Sequence, residues 1–583
     1  MHLKSLRIQG FRRLNDLALS FKSGLNVIVG PNNAGKTAVV DALRVLLSAS
    51  DEGSLRLTEL DLHQAASALR SPSATFTFTF SGLSEEHEAD FMTALIPVKD
   101  AVGSVIGYEA RFNVQYMQAE LGGRLRLRRW VGLHEENVMT TEMLENLRAI
   151  YLQPLRDPAQ GLKPGRMSQI SKLIQNMTDK SQREELVEAL KIIDKDLRGK
   201  DPVSSTNTAI FTRHETMLGK ELAQLLHLDL TATDFTKFAA RVGLAVGSME
   251  VEQNGLGFNN LIYMAVVLSE LALNKSVSYC GLLVEEPEAH LHPQLQAVLL
   301  EYLKTVEKPA KGERAVQVFV TSHSPNFAAL ADIDSICCVY EGPAGPVAFA
   351  PREVTFEPGK KEKLQRYLNV TRAELFFAKR LVLVEGTSEL FLLDALATRA
   401  GYDLRKNSVS IISTDGLNFD AFLPLFGKGG MRIPVAVITD ADPPKAHYPD
   451  EAAILALSHN AQKLRELEDE FVTCYFAQKT LEYDLALDAG RRDLMVAALK
   501  EMHPKIGADL ETDVGNGVTA QEKAKALYCG MFQRPGELEN VQKGRYSQVL
   551  AYGIATSKAP VALPSYLEAA LKFVAPKMDA AVG

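Results

Sequence analysis

The stretch VIVGPNNAGKTAVVDAL, beginning at Val27, restricts the fold more than any other part of the chain. A short apolar run ends at Gly30, and an apolar pattern with helical spacing resumes after Lys36. Between them the residues fit G-x-x-x-x-G-K-[ST] without a gap, with Gly30, Gly35, Lys36 and Thr37 at the fixed positions. Glycines let the backbone wrap phosphate oxygens, and the N-terminus of the following helix favours their negative charge. Lys36 is expected to reach the outer phosphates of ATP and Thr37 to ligate Mg²⁺. Asn32 and Asn33, inside the loop, count with Gly35 as nucleotide-binding. Further along, from near Arg372, strand-helix-strand alternation implies a parallel sheet covered by helices.

Three later stretches belong with this loop. LLVEEPEAHLHP is an apolar strand ending in Glu285 and Glu286. The first carboxylate can hold Mg²⁺ through water, and the second can polarise the attacking water. VFVTSHSP ends a strand at His323, placed to contact a terminal phosphate. NGLGFNN, from Asn254 to Asn260, opens a helix and suits contact with the nucleotide of a facing subunit; the plainer reading is a helix-entry loop. Glu288 reads as a cap of the following turn. His290 and His292 read as residues that shape that turn, since no third ligand stands near them to make a metal site.

A second strand-to-helix junction, LVLVEGTSELFLLDAL from Leu381, is acidic instead of glycine-rich. Glu385 ends the strand, Thr387 and Ser388 can cap the new helix, and Glu389 lies in its first turn. Glu385 and Glu389 can face one point beyond the carboxyl end of the strand, the edge where open α/β sheets bind ligands. A later strand, IPVAVITDADPP, ends in Asp440 and Asp442, whose alternate spacing predicts carboxylates on one side. STDGLNF adds Asp415. Five acids at strand ends repel one another, so stability does not explain them, and oxygen-rich clusters suit Mg²⁺ or Mn²⁺. The alternative is that they are solvated caps and turn formers.

At 583 residues the chain is long enough for three or four domains, each with its own core. The pattern divides it into a first part of strands and helices over 1–168, a helical insertion suited to dimerisation over 169–243, a return to the first domain plus connector over 244–371, and a second α/β unit over 372–583. In the insertion, Leu186, Leu190, Ile193 and Leu197 fall at helical spacing. SATFTFTF, from Ser73, alternates strictly and predicts a strand. The connector is read from Gly342 onward by its Pro and Lys content. No run of eighteen apolar residues occurs, so no membrane span is expected. The opening MHLKSLRIQG has no apolar signal core, and the five cysteines include no C-x-x-C pair. A cytoplasmic setting is the expectation. The net charge of −8 argues against coating nucleic acid through bulk charge, but not against a local basic groove.

The order of Gly30–Thr37, Asn254–Asn260, Glu285–Glu286 and His323 resembles the ABC-type ATPases of DNA repair and chromosome maintenance. By that resemblance Gln153, in YLQPLRD, falls at the Q-loop, and ATP is sandwiched between two subunits of a homodimer. Glu285 departs from the pattern, because that family usually has Asp there. Glu385 with the D-x-D of Asp440 and Asp442 resembles the Toprim fold, and Glu389 resembles its nuclease branch. An ABC-type ATPase followed by a Toprim domain resembles the OLD (overcoming lysogenisation defect) nucleases over nearly the whole chain. KTLEYDL and KGRYSQVLA resemble short motifs of that family. The resemblance implies that Glu482 completes a metal site and that Lys543 stabilises charge on the scissile phosphate; read alone, each is a surface charge.

The expected activity is therefore ATP-linked, metal-dependent DNA cleavage, with the family's setting of anti-phage defence. DNA is the expected partner, with room for a separately encoded protein such as a helicase. Two other classes compete: a topoisomerase or primase, and a non-cleaving chromosome-maintenance ATPase. A topoisomerase needs a nucleophilic Tyr, usually in a separate domain, and nothing marks Tyr546 as activated. The second needs long heptad arms, which the insertion is too short to supply. RLRLRRW, with Arg124, Arg126, Arg128, Arg129 and Trp130, reads equally as a phosphate-binding stripe or a solvated strand face.

Overall fold

The computed structural model describes residues 1–49, 55–65, 70–119, 124–154, 161–166, 168–226, 228, 234–247, 249–289, 291–343, 345–444, 446–533, 541–557 and 560–577. Strands β1 (His2–Phe11) and β2 (Leu14–Ser20) form an antiparallel pair, and β3 (Leu25–Val29) leads into the glycine-rich loop. The alternating stretch forms β4 (Ser73–Ser81), which buries Phe76, Phe78 and Phe80. With β5 (Leu95–Lys99), β6 (Val105–Gln118) and β7 (Leu125–Val131) these make an antiparallel sheet of order β2-β1-β4-β6-β5, β7 also pairing with β6.

A second sheet carries the chemistry of the first half. It adds β8 (Leu147–Leu152), and, after the small hairpin β9 (Ala245–Val246) and β10 (Met249–Glu250), the strands β11 (Tyr279–Glu285), β12 (Gln317–Ser322), β13 (Ile336–Gly342) and β14 (Gly345–Phe349). Its order is β14-β13-β3-β12-β11-β8, parallel except for β14. β3, β11 and β12 are buried along their whole length, which accounts for their largely apolar sequences. The carboxyl ends of β3, β11 and β12 therefore bring Gly30, Glu285 and Ser322 to one edge.

Between β8 and β9 the insertion contains helices Gln169–Met177, Lys180–Arg198, Asp201–Leu218 and Phe235–Ala239. Two of them run 19 and 18 residues. Asp179 and Gln182 form a capping box at the start of the longer one. Ile193 and Leu197 of its apolar stripe remain 53% and 38% exposed. The helix Leu256–Leu273 has the length and hydropathy of a membrane span. It packs instead on the second sheet, burying Met264, Val267, Leu268 and Leu271, with Glu270 buried against Arg148 at 3.0 Å.

The last sheet is fully parallel: β15 (Arg380–Val384), β16 (Val409–Ser413), β17 (Val435–Asp440) and β18 (Val472–Ala477), in the order β16-β15-β17-β18. The helices after β18 cover one face through Leu485, Leu499, Leu527, Leu550 and Leu571. The other face does not close a separate core. Leu383 and Val437 join Phe419 and Phe422, then Phe376 and Leu364, then Phe327 and Val320 of the second sheet, in one continuous apolar cluster. The stretch read as a connector supplies part of this join: β14 extends the second sheet, and Phe349, Leu364 and Leu368 are buried in the shared core. Arg432 N–H donates to Tyr340 Oη at 3.1 Å, and Lys360 and Lys363 both pair with Asp420 across the same join.

Candidate active sites

The glycine-rich loop closes a cradle at the end of β3. Gly30 and Gly35 have φ of 149° and 106°, and a Cβ on Gly30 would collide with the carbonyl oxygen of Val339. Gly35 is the N-cap of the helix Lys36–Leu47, so its free N–H groups face the cradle. Lys36 is buried and donates to the carbonyls of Gly30 and Pro31 at 2.7 and 2.9 Å. Burial lowers its pKa to about 8, against the opposing pull of Glu286 and Glu288. Asn32, Asn33 and Thr37 are exposed at the mouth, and Gln153 is exposed just past β8.

Glu285 and Glu286 stand where β11 ends, and they behave differently. Glu285 is buried, and burial, then the nearby Asp41, push its pKa up to about 7. Glu286 takes φ 46°, a left-handed conformation that turns it away from the strand direction. His323 Nε2 lies 3.0 Å from Glu286 Oε1. Burial and the neighbouring Lys36 lower the pKa of His323, while Glu286 raises it. Glu288 is expected from the sequence to cap the following turn. Its Oε1 instead accepts from Ser322 Oγ at 2.7 Å and from His323 N–H at 2.9 Å, bracing the loop that carries the histidine. His292 caps the helix Pro293–Thr305 through its ring nitrogen, and His290 lies outside the described residues. Asn254 and Asn259 bond to each other at 3.0 Å, and Gly255 is the N-cap of the helix Leu256–Leu273.

At the carboxyl edge of the last sheet, Glu385 from β15, Glu389 from the helix Thr387–Arg399, Asp440 from β17 and Glu482 from the helix Leu481–Leu487 converge with Lys543. Glu385 Oε1 accepts from Asp440 N–H at 2.9 Å and from the Thr439 hydroxyl. Glu389 accepts from Gly386 N–H at 3.1 Å, closing its own helix start. Lys543 Nζ pairs with Glu482 at 3.0 Å. Asp440 has its pKa held well above the usual carboxylate range by burial, then by Glu385, Glu482 and Glu389. Burial, then Glu482 and Glu385, push Glu389 up to about 7. Burial works to lower the pKa of Lys543, but Glu482 raises it further.

This donor set fits a divalent cation, because four carboxylates share one ammonium and a hard cation relieves their repulsion. Among the described residues no three acids are close enough to form a finished cage. Asp442 and Asp415 are exposed, unlike the four. β17 ends at Asp440, and Asp442 takes φ 49°, so strict alternation stops and the side chain is exposed. Asp415 is exposed at φ 60° and pairs with Arg372 at 3.6 Å. Tyr546 is wholly buried and donates to the Met495 carbonyl at 3.0 Å, which removes it as an exposed nucleophile.

Some residues of these sites carry no motif. Thr439 holds Glu385 through cross-strand register, which a single sequence does not display. Arg12 and Arg13 line a cavity of about 660 Å³ beside the cradle, together with Asn15, His63, Arg70 and Glu341. Arg13 donates to the carbonyl of Asn33. The adjacent arginines in GFRRLN, at the turn between β1 and β2, are the available signal. Arg124 lies at the boundary of the described residues, and Arg126 and Arg128 are exposed on β7.

Residues 1–93 and 140–328 match the profile of an AAA ATPase domain. Residues 376–442 match that of the TOPRIM domain of overcoming lysogenization defect protein-like proteins. The chain is 22% identical over 464 residues to the OLD nuclease of Thermus scotoductus, spanning 77% of this chain and 82% of that one. It is 20% identical over 419 residues to endonuclease GajA of Bacillus cereus, spanning 62% of this chain and 59% of GajA. The solved C-terminal region of the Burkholderia pseudomallei OLD protein covers 34% of this chain with 97% of its own, at 24% identity and a TM-score of 0.23.

Proposed function

We propose, from a chain that joins an AAA ATPase domain to a Toprim domain and is related to the OLD-family nucleases, that it is an ATP-hydrolysing, divalent-metal-dependent DNA endonuclease. The observation that carries this reading is the convergence of Glu385, Glu389, Asp440 and Glu482 with Lys543 at the edge of a parallel sheet. Those four acids would hold Mg²⁺ or Mn²⁺, with Asp442 and Asp415 on the rim. Such ions, when bound, activate water and stabilise the leaving oxygen of a phosphodiester. Thr439 and the Asp440 N–H keep Glu385 in one orientation. Lys543, beside Glu482, offers its charge to the scissile phosphate.

In the ATPase site, Lys36 and the loop N–H groups hold the phosphates, Thr37 and Glu285 serve Mg²⁺, Glu286 orients water and His323 meets the terminal phosphate. Asn32, Asn33 and Gln153 complete the nucleotide contacts. Two subunits would face each other through the ATPase domains, with the insertion over 169–243 as a dimer contact. The exposed Ile193 and Leu197 support that role. The setting would be cytoplasmic defence against phage, with DNA as substrate and a separately encoded protein, such as a helicase, as a partner.

The test is supercoiled plasmid with Mg²⁺ or Mn²⁺, with and without ATP. Nicked or linear product is expected. A covalent protein–DNA adduct would instead indicate a topoisomerase, and unchanged plasmid would indicate a non-cleaving ATPase.

A further inference from the structure

Tyr151 occupies β8, the strand next to β11, in register with Leu283. Its hydroxyl donates to Glu285 Oε1 at 3.2 Å. The ring is pinned from the other side by the Arg44 guanidinium, 4.0 Å from its centroid. Arg44 is held by Asp41 at 2.7 Å, and Asp41 also binds Arg12 at 2.6 Å. A continuous line of contacts thus runs from the arginine lining the cavity beside the cradle to the buried carboxylate at the end of β11. Arg44 and Asp41 lie on the helix that Lys36 opens, so the line is built on the nucleotide site's own scaffold.

The use of this hydroxyl is specific. Tyr546 satisfies its hydroxyl with a backbone carbonyl, whereas Tyr151 directs its own to an acid side chain. Burial, then Glu285, push the Tyr151 pKa up to about 12, so the group stays a donor. Glu285 is one methylene longer than aspartate, and a free glutamate has one more rotatable bond to order. A hydrogen bond to one oxygen removes that freedom. Groups that orient a metal-ligating carboxylate in this way tune metal affinity without touching the metal.

We propose that Tyr151 is a positioning residue of the ATP site, holding one oxygen of Glu285 so that the carboxylate offers a single orientation to the divalent ion that accompanies ATP. The inference rests on the reading of Gly30–Thr37 and Glu285 as that site.

The experiment measures the affinity of the full-length protein for a fluorescent N-methylanthraniloyl-ATP as free Mg²⁺ is varied. Tyr151→Phe keeps the ring under Arg44 and removes only the hydroxyl. It should raise the Mg²⁺ midpoint about tenfold and leave nucleotide affinity in EDTA unchanged. In a Glu285→Asp background, where the shorter acid falls away from the hydroxyl, adding Tyr151→Phe should change the midpoint less than twofold. An unchanged midpoint in Tyr151→Phe, or an equal shift in both backgrounds, overturns the proposal. Failure of the wild-type protein to bind the nucleotide would defeat the ATP-site reading itself, a separate outcome.

Discussion

The ATPase edge and the Toprim edge are both carboxyl ends of parallel strands, yet they solve opposite electrostatic problems. The first is a cradle of backbone N–H groups and one lysine, and Lys36 is satisfied by the Gly30 and Pro31 carbonyls. The second is a concentration of negative charge, in which Asp440 is surrounded by Glu385, Glu482 and Glu389. One edge presents N–H donors and an ammonium, the other a cluster of carboxylates. A phosphate cradle is local, because consecutive residues supply it. A carboxylate cluster must be assembled from several elements, here two strands and two helices, with Lys543 on a further helix.

The sharpest way to break this contrast is to remove the charge from the cradle. Lys36→Ala should lower phosphate release from ATP by on the order of a thousandfold, while Mn²⁺ binding at the carboxylate edge is retained. Near-normal hydrolysis by this variant would refute the nucleotide site. Glu286→Gln should slow turnover by roughly a hundredfold with ATP binding kept, because the amide keeps the shape but loses the charge that His323 meets at 3.0 Å. Loss of ATP binding in that variant would assign Glu286 to binding instead. At the other edge, Lys543→Ala should reduce plasmid nicking by about tenfold or more, with metal affinity maintained or increased once Glu482 loses its partner. Reduced metal affinity would make Lys543 a structural organiser of the acids.

The smallest functional effect, and a structural one, concerns the join. Phe376 is buried in the cluster that spans both halves. Phe376→Ala should cost about 3–5 kcal/mol of stability and shift a single calorimetric transition. Two separate transitions, with only one displaced, would show that the halves unfold independently despite the shared core.

The contrast also explains what could be read in advance. Gly30–Thr37 was legible because the cradle is contiguous, and Glu385 and Asp440 because each ends an apolar strand. The spacing predicts that Asp442 faces with Asp440, but the strand stops at Asp440, two residues earlier, and φ 49° breaks the alternation. Thr439 and Tyr151 act through strand register, so their roles exist only after the sheets form. The stretch from Gly342 reads as a linker because of its Pro and Lys content. Its few large apolar residues, Phe349, Leu364 and Leu368, are nevertheless buried in the shared core.

The most direct test of two chemically separate sites on one chain pairs plasmid nicking with phosphate release on the same purified Asp440→Ala protein. Alanine offers no oxygen to a divalent ion, and Asp440 belongs to no motif of the nucleotide cradle. Nicking should fall by about a thousandfold, the equivalent of ~4 kcal/mol of transition-state stabilisation, with most ATP hydrolysis retained. Full cleavage by Asp440→Ala would contradict the account.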